Sequence, residues 1–170
     1  PSVAYPSSDD LPSWPASDRK KTVCIPIGPL FYEVGPDVSL AADTFRAKQL
    51  HDEYTETPEY MALLRGALSM MKVSHIDLLV VGLPVALFAV KKAELEKAMT
   101  GRHDIGGGKA VTVGKAMAVP QPQGALAHFA SEHQKMTIIG NEQSLIIDPG
   151  SRTFDWLVAR GMRLVQKQSY

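Results

Sequence analysis

The sequence predicts a mixed α/β fold, with helices flanking sheets, on three observations. Thr57-Pro58-Glu59 is a helix start followed by apolar residues at helical spacing. Ile76-Asp77-Leu78-Leu79-Val80-Val81-Gly82 is a nearly continuous apolar run, the pattern of a strand covered on both faces. Ser144–Ile147 is another apolar strand, ending on Asp148 and a tight turn. Strands and helices interleaved in this way argue for helices packed on sheets.

The elements follow in order. Residues 1–20 are rich in Pro, Ser and Asp and read as irregular. Thr22–Ile27 and Leu30–Val34, joined by Gly28-Pro29, read as a hairpin. In the helix predicted over 58–72, Thr57 caps free backbone N–H groups and Pro58 suits the first position. Glu59 there favours the positive end of the dipole. Tyr60, Leu63, Leu64, Ala67, Leu68 and Met71 share one face. After Leu83-Pro84 a helix is expected over 90–99, then a loop from Gly101 to Gly108, then extended segments at 110–113 and 116–119. A helix over 122–133 is expected to bury Ala125, Leu126, Phe129 and Ala130. Phe154–Val158 and Met162–Gln166, separated by Arg160-Gly161, read as a second hairpin.

Composition narrows the function classes. The chain has 170 residues, 45% hydrophobic and 21% charged, enough for one medium domain or two small ones. Its net charge of zero argues against general nucleic-acid binding, which needs an excess of Lys and Arg. One cysteine, Cys24, excludes an internal disulfide and fits a reducing compartment. It lies in an apolar run and reads as a small hydrophobe. No apolar run reaches the roughly 18 residues of a membrane span. The chain opens on Pro1 rather than Met, so it is expected to belong to a longer protein.

The chemistry concentrates in Asp148-Pro-Gly-Ser-Arg-Thr-Phe-Asp155. A strand delivers Asp148, and Pro149, Gly150 and Ser151 turn the chain back. Gly150 permits close approach of backbone N–H groups to phosphate oxygens. Asp148 offers a hard oxygen ligand to Mg²⁺. Ser151 and Thr153 add hydroxyls, and Arg152 a cation facing phosphate or solvent. An ordinary β-turn uses the same residue types. The wider pattern, apolar-apolar-Asp-x-Gly-x-x-Thr-x-Asp, resembles the second phosphate loop of the actin, sugar-kinase and heat-shock-chaperone superfamily. The resemblance implies an actin-like (ribonuclease H-like) fold with ATP and Mg²⁺ as cofactors. It implies that Asp148 holds the metal through water and that Gly150, Ser151, Arg152, Thr153 and Asp155 line the phosphates. Family members carry Gly where this chain has Ser151 and Arg152.

Val119-Pro120-Gln121-Pro122-Gln123-Gly124 opens a helix before that loop. In the same superfamily a Glu or Gln here orients the attacking water, which implies Gln121 as the catalytic residue, with Gln123 second. A Gln aligns water by hydrogen bonds rather than as a base. Both also suit ordinary polar helix-start positions.

Val80-Val81-Gly82-Leu83-Pro84-Val85 before a Lys-rich helix resembles the ParM/StbA-like plasmid-segregation branch, and within that branch the run from Ser2 to the end resembles the proteins called protein D of PRTRC-type systems. That implies a cytoplasmic bacterial ATPase that self-associates into filaments and reaches plasmid DNA through an adaptor protein, with no membrane partner. By this resemblance residues 1–137 are the first actin-like domain and 138–170 open the second. A first phosphate hairpin is expected before Pro1, and the adenine-binding half after Tyr170. A non-catalytic module of the same fold, or another superfamily ATPase domain, fits the same motifs.

Three weaker signals read as structural. Asp104-Ile105-Gly106-Gly107-Gly108-Lys109 fails the Walker spacing and reads as a flexible turn. His128 and His133 are five apart, off a common helix face, so they make no zinc site with Glu132. Lys91, Lys92, Glu94, Glu96 and Lys97 read as a solvated helical face.

Overall fold

In a computed structural model, residues 3–7, 21–38, 54–150 and 154–169 are described. They form strands β1 (Ala4–Ser7), β2 (Val23–Ile27) and β3 (Leu30–Val34), then helix α1 (Pro58–Met71) and β4 (His75–Leu83). Next come α2 (Val85–Met99), β5 (Gly101–Gly106) and β6 (Lys109–Pro120). The chain closes with α3 (Gln121–Glu132), α4 (Met136–Asn141), β7 (Gln143–Pro149), β8 (Phe154–Arg160) and β9 (Arg163–Ser169). The sheets have strand orders β1-β3-β2, β4-β6-β5 and β7-β8-β9. Asp77 lies beside Gly114, and Gly82 beside Gln121, so β4 and β6 run in the same direction. β5 is antiparallel to β6, which makes that sheet mixed.

The chain divides into two compact units: 1–77 with 100–114, and 78–99 with 115–170. In the first, the Gly28-Pro29 turn closes the predicted β2–β3 hairpin, with Ile27 opposite Leu30 and Gly28 at φ 59°. α1 packs Ala62 into a core of Ala4, Ile25, Tyr32 and Val34. Gly66 of α1 sits directly on Val34, where a Cβ would fall 2.2 Å from Val34 Cγ2. Arg65 donates from Nη1 to the Pro26 carbonyl at 2.9 Å. Thr57 caps α1 as predicted: its Oγ1 accepts the Tyr60 N–H at 3.2 Å and donates to the Tyr54 carbonyl at 2.7 Å.

In the second unit, α3 and α4 cover one face of the β7-β8-β9 sheet. Leu126, Ala130, Ile139, Leu157 and Ala159 form the core, with Ile146, Met162 and Leu164 packed against it. α2 pairs Lys91 with Glu94 and Lys92 with Glu96 along its surface. Glu96 also accepts the Ala118 N–H at 2.9 Å, tying α2 to β6.

Several expectations are corrected. Ala4–Ser7 is a strand, paired antiparallel with β3, although its sequence reads as irregular. α2 begins at Val85, directly after Pro84. Gly101–Gly106 is a strand rather than a loop, and only Gly107 and Gly108 turn the chain into β6. The two extended segments after it are one strand of 12 residues. β4 is not covered on both faces: Val81 and Leu83 are buried, while Leu78 and Val80 are exposed on a strand at its sheet's edge. β7 is likewise an edge strand. Ile146 packs on the core, and Leu145 and Ile147 are 63% and 54% exposed. On α3 the buried residues are Pro122, Leu126 and Ala130, one face at four-residue spacing. Ala125 is exposed and Phe129 is 45% exposed, because the sheet meets the adjoining arc of the helix.

Candidate functional site

The site is built on the hairpin of β7 and β8. Its register pairs Ile147 with Trp156, Asp148 with Asp155, and Pro149 with Phe154. Directly opposed residues of an antiparallel pair share a face and lie about 4.5–5.5 Å apart at Cβ. The hairpin therefore places two carboxylates side by side where it turns. Gly150 donates its N–H to the Asp148 carbonyl at 3.1 Å, the three-residue closure that starts the turn. Ser151, Arg152 and Thr153 lie outside the described residues.

The two acids sit in different surroundings. Asp148 is exposed. Asp155 is 4% exposed, and among the described residues its Oδ1 has no hydrogen-bond partner. Among the described residues no ion pair reaches either carboxylate. A buried carboxylate oxygen without a donor carries a desolvation cost of several kcal/mol. A carboxylate pair with one orphaned oxygen fits a hydrated divalent cation, because such a cation offsets both charges and its waters donate hydrogen bonds. Among the described residues no three His, Cys, Asp or Glu side chains cluster as a direct metal cage. His133 instead lies against the Phe129 ring, with centroids 4.6 Å apart.

Gln121 is the first residue of α3 and is exposed. Pro120 and Pro122, both fully buried, flank it and fix its backbone. Pro122 lacks only an N–H that the first helical turn leaves unpaired anyway. The Gln121 side chain crosses Gly82 of β4: a Cβ on Gly82 would fall 2.9 Å from Gln121 Cγ. Among the described residues no hydrogen bond links Gln121 to Asp148. The structure thus brings Asp148 and Asp155 together and seats Gln121 against Gly82. Gln123, the second candidate, is committed elsewhere, since its Nε2 donates to the Met162 carbonyl at 2.7 Å. Gly82 escaped the sequence reading of the site. Its signal was present, because an isolated Gly inside an apolar strand often marks a close approach of another chain segment.

Antiparallel and mixed sheets with flanking helices carry the acidic β-hairpin tip and the proline-flanked Gln. A family model, the actin-like proteins N-terminal domain, matches residues 1–124. The chain belongs to this family of actin-like proteins. The apo psk41 ParM protein matches all of this chain and 58% of its own, at 17% identity and a TM-score of 0.68. Ta0583, an archaeal actin homolog, matches 99% of this chain and 53% of its own, at 19% identity and a TM-score of 0.62. The AlfA filament bound to AMPPNP matches 100% of this chain and 59% of its own, at 16% identity and a TM-score of 0.58. The chain thus spans a little over half the length of these structures, and at such identities they establish the fold. No curated protein sequence matches it significantly. No helix among the described residues is long and apolar enough to cross a membrane.

Proposed function

We propose that these residues form part of an actin-like ATPase that binds Mg-ATP and assembles into filaments for plasmid segregation. The observation that carries this reading is the Asp148–Asp155 pair at the β7–β8 turn, with a buried oxygen unpartnered among the described residues, in a chain of the actin-like family. Asp148 holds the metal through water. Gly150, Ser151, Arg152 and Thr153 line the phosphates, and Asp155 accepts from the metal's hydration shell or the loop. Bound Mg²⁺ supplies charge neutralisation at the phosphates. Gln121 aligns water by hydrogen bonding, and its proline-fixed backbone limits the orientations it samples.

The fold likeness to a filament bound to AMPPNP supports both nucleotide binding and self-association. The Gly-Leu-Pro exit from β4 supports the ParM/StbA-like branch, and the resemblance of the run from Ser2 to the end supports, within it, a PRTRC-type protein D. On this reading residues 1–137 belong to the first actin-like domain and 138–170 open the second. The protein acts in the cytoplasm, where an adaptor links it to plasmid DNA. The test is Asp148→Ala in the full-length protein, with turnover followed by phosphate release. Turnover is expected to fall by about 100-fold or more. Turnover equal to that of the unaltered protein would remove Asp148 from the metal site.

A further inference from the structure

We propose that Gly82 is a positioning residue for Gln121: the space left by its missing side chain sets where the Gln121 amide is held. This inference rests on the water-aligning role proposed for Gln121. Gly82 is the last residue but one of β4, and a glycine within a strand weakens it and buries no side chain. Its backbone does not require glycine, because it is absent from the residues with positive φ. What requires glycine is the neighbour. A Cβ on Gly82 would meet Gln121 Cγ at 2.9 Å, closer than Cβ atoms pack, while Gln121 Cα and Cβ stand at 3.6 and 3.8 Å, ordinary contact distances. The conflict is therefore confined to the Gln121 side chain beyond Cβ. The backbone of Gln121 cannot absorb it, since the buried rings of Pro120 and Pro122 hold it on both sides. A methyl group on Gly82 must instead swing the Gln121 side chain to another rotamer and carry its amide away.

The experiment is a double-mutant cycle in the full-length protein, with steady-state ATP turnover and melting temperature measured for Gly82→Ala, Gln121→Ala and the double variant. Gly82→Ala is expected to lower kcat roughly 10- to 100-fold, the effect of displacing a catalytic group by about 1 Å, with KM for ATP little changed. Added to Gln121→Ala, it is expected to have no further effect on kcat, because the atom it displaces is already gone. A normal kcat for Gly82→Ala beside a slow Gln121→Ala overturns the positioning role alone. A normal kcat for Gln121→Ala overturns the water-aligning role and this inference with it. If Gly82→Ala does not fold, recovery of folding in the double variant supports the Cγ contact, and continued misfolding overturns it.

Discussion

Gly66→Ala is a substitution that helix propensity alone predicts to be stabilising and that this structure predicts to be destabilising. Gly66 lies in the interior of α1, where alanine gains about 1 kcal/mol over glycine. The new Cβ would fall 2.2 Å from Val34 Cγ2, well inside the roughly 3.5–4.0 Å at which carbon atoms rest. Val34 is fully buried, and its branched Cβ restricts rotation about χ1, so it cannot turn aside. Helix and sheet must separate by about 1 Å or Val34 must leave its rotamer. Overpacking of this kind costs about 1–3 kcal/mol and can exceed that. A 2.2 Å approach puts the cost at the upper end of that range, about 3 kcal/mol, so the net expectation is a loss of about 2 kcal/mol. With a urea m-value of about 1–3 kcal/mol/M, the midpoint of the transition reporting on this unit falls by roughly 0.7–2 M. The sign is expected to reverse in a Val34→Ala background, where the clashing methyl is absent. A Gly66→Ala protein with a raised midpoint, in the presence of Val34, refutes the packing argument.

Two further outcomes concern the same unit. Thr57→Ala removes the cap that accepts the Tyr60 N–H and is expected to cost about 1 kcal/mol, read from the same urea transition, whereas Thr57→Ser retains most of it. Tyr54 and Tyr60 meet edge to face, with centroids 5.7 Å apart. Burial raises both phenols' pKa values, helped by the Glu59 charge at Tyr54 and by Tyr54 itself at Tyr60. The folded state therefore holds these protons more tightly than the unfolded state does. Their contribution is fully present below the ordinary tyrosine value near 10 and is lost as pH rises through the raised values. Stability followed against pH is expected to decline above about 10, less steeply in Tyr60→Phe. An identical alkaline decline in that variant counts against it.

What was legible in the sequence was what neighbouring residues decide among themselves. The α1 start is fixed by Thr57, Pro58 and Glu59, and the β2–β3 turn by Gly28-Pro29, so both fall where the sequence places them. The acidic hairpin was equally local, since an apolar strand, Pro149-Gly150 and a returning strand specify it. The misread features depend on distant partners. Ala4–Ser7 becomes a strand because β3 offers a free edge far along the chain, which its own Pro6 does nothing to announce. Gly101–Gly106 looks like a loop until Val111 and Thr112 supply its ladder. Helical periodicity put Phe129 near the buried arc of α3, but only the sheet decides where that arc ends. At the site, sequence could propose Asp148, Asp155 and Gln121, yet it could not show that, of the two hairpin acids, Asp155 is the buried one. Nor could it show that Gln123 is occupied by the Met162 carbonyl.

Two of the glycine turns differ in what the chain can carry there. At Gly107 and Gly108 a Cβ would meet nothing within 4 Å, so that tip has room for added residues. The turn after β8 has none. Gly161 donates its N–H to the Glu142 carbonyl at 2.9 Å, and a Cβ on it would fall 2.7 Å from the Gly140 carbonyl oxygen. Lengthening that turn pulls α4 from its sheet and opens the packing around Ile139. A reporter peptide or fluorescent label that must leave the acidic hairpin intact therefore belongs at Gly107-Gly108, and a graft at Gly161 would be read out as misfolding rather than as function.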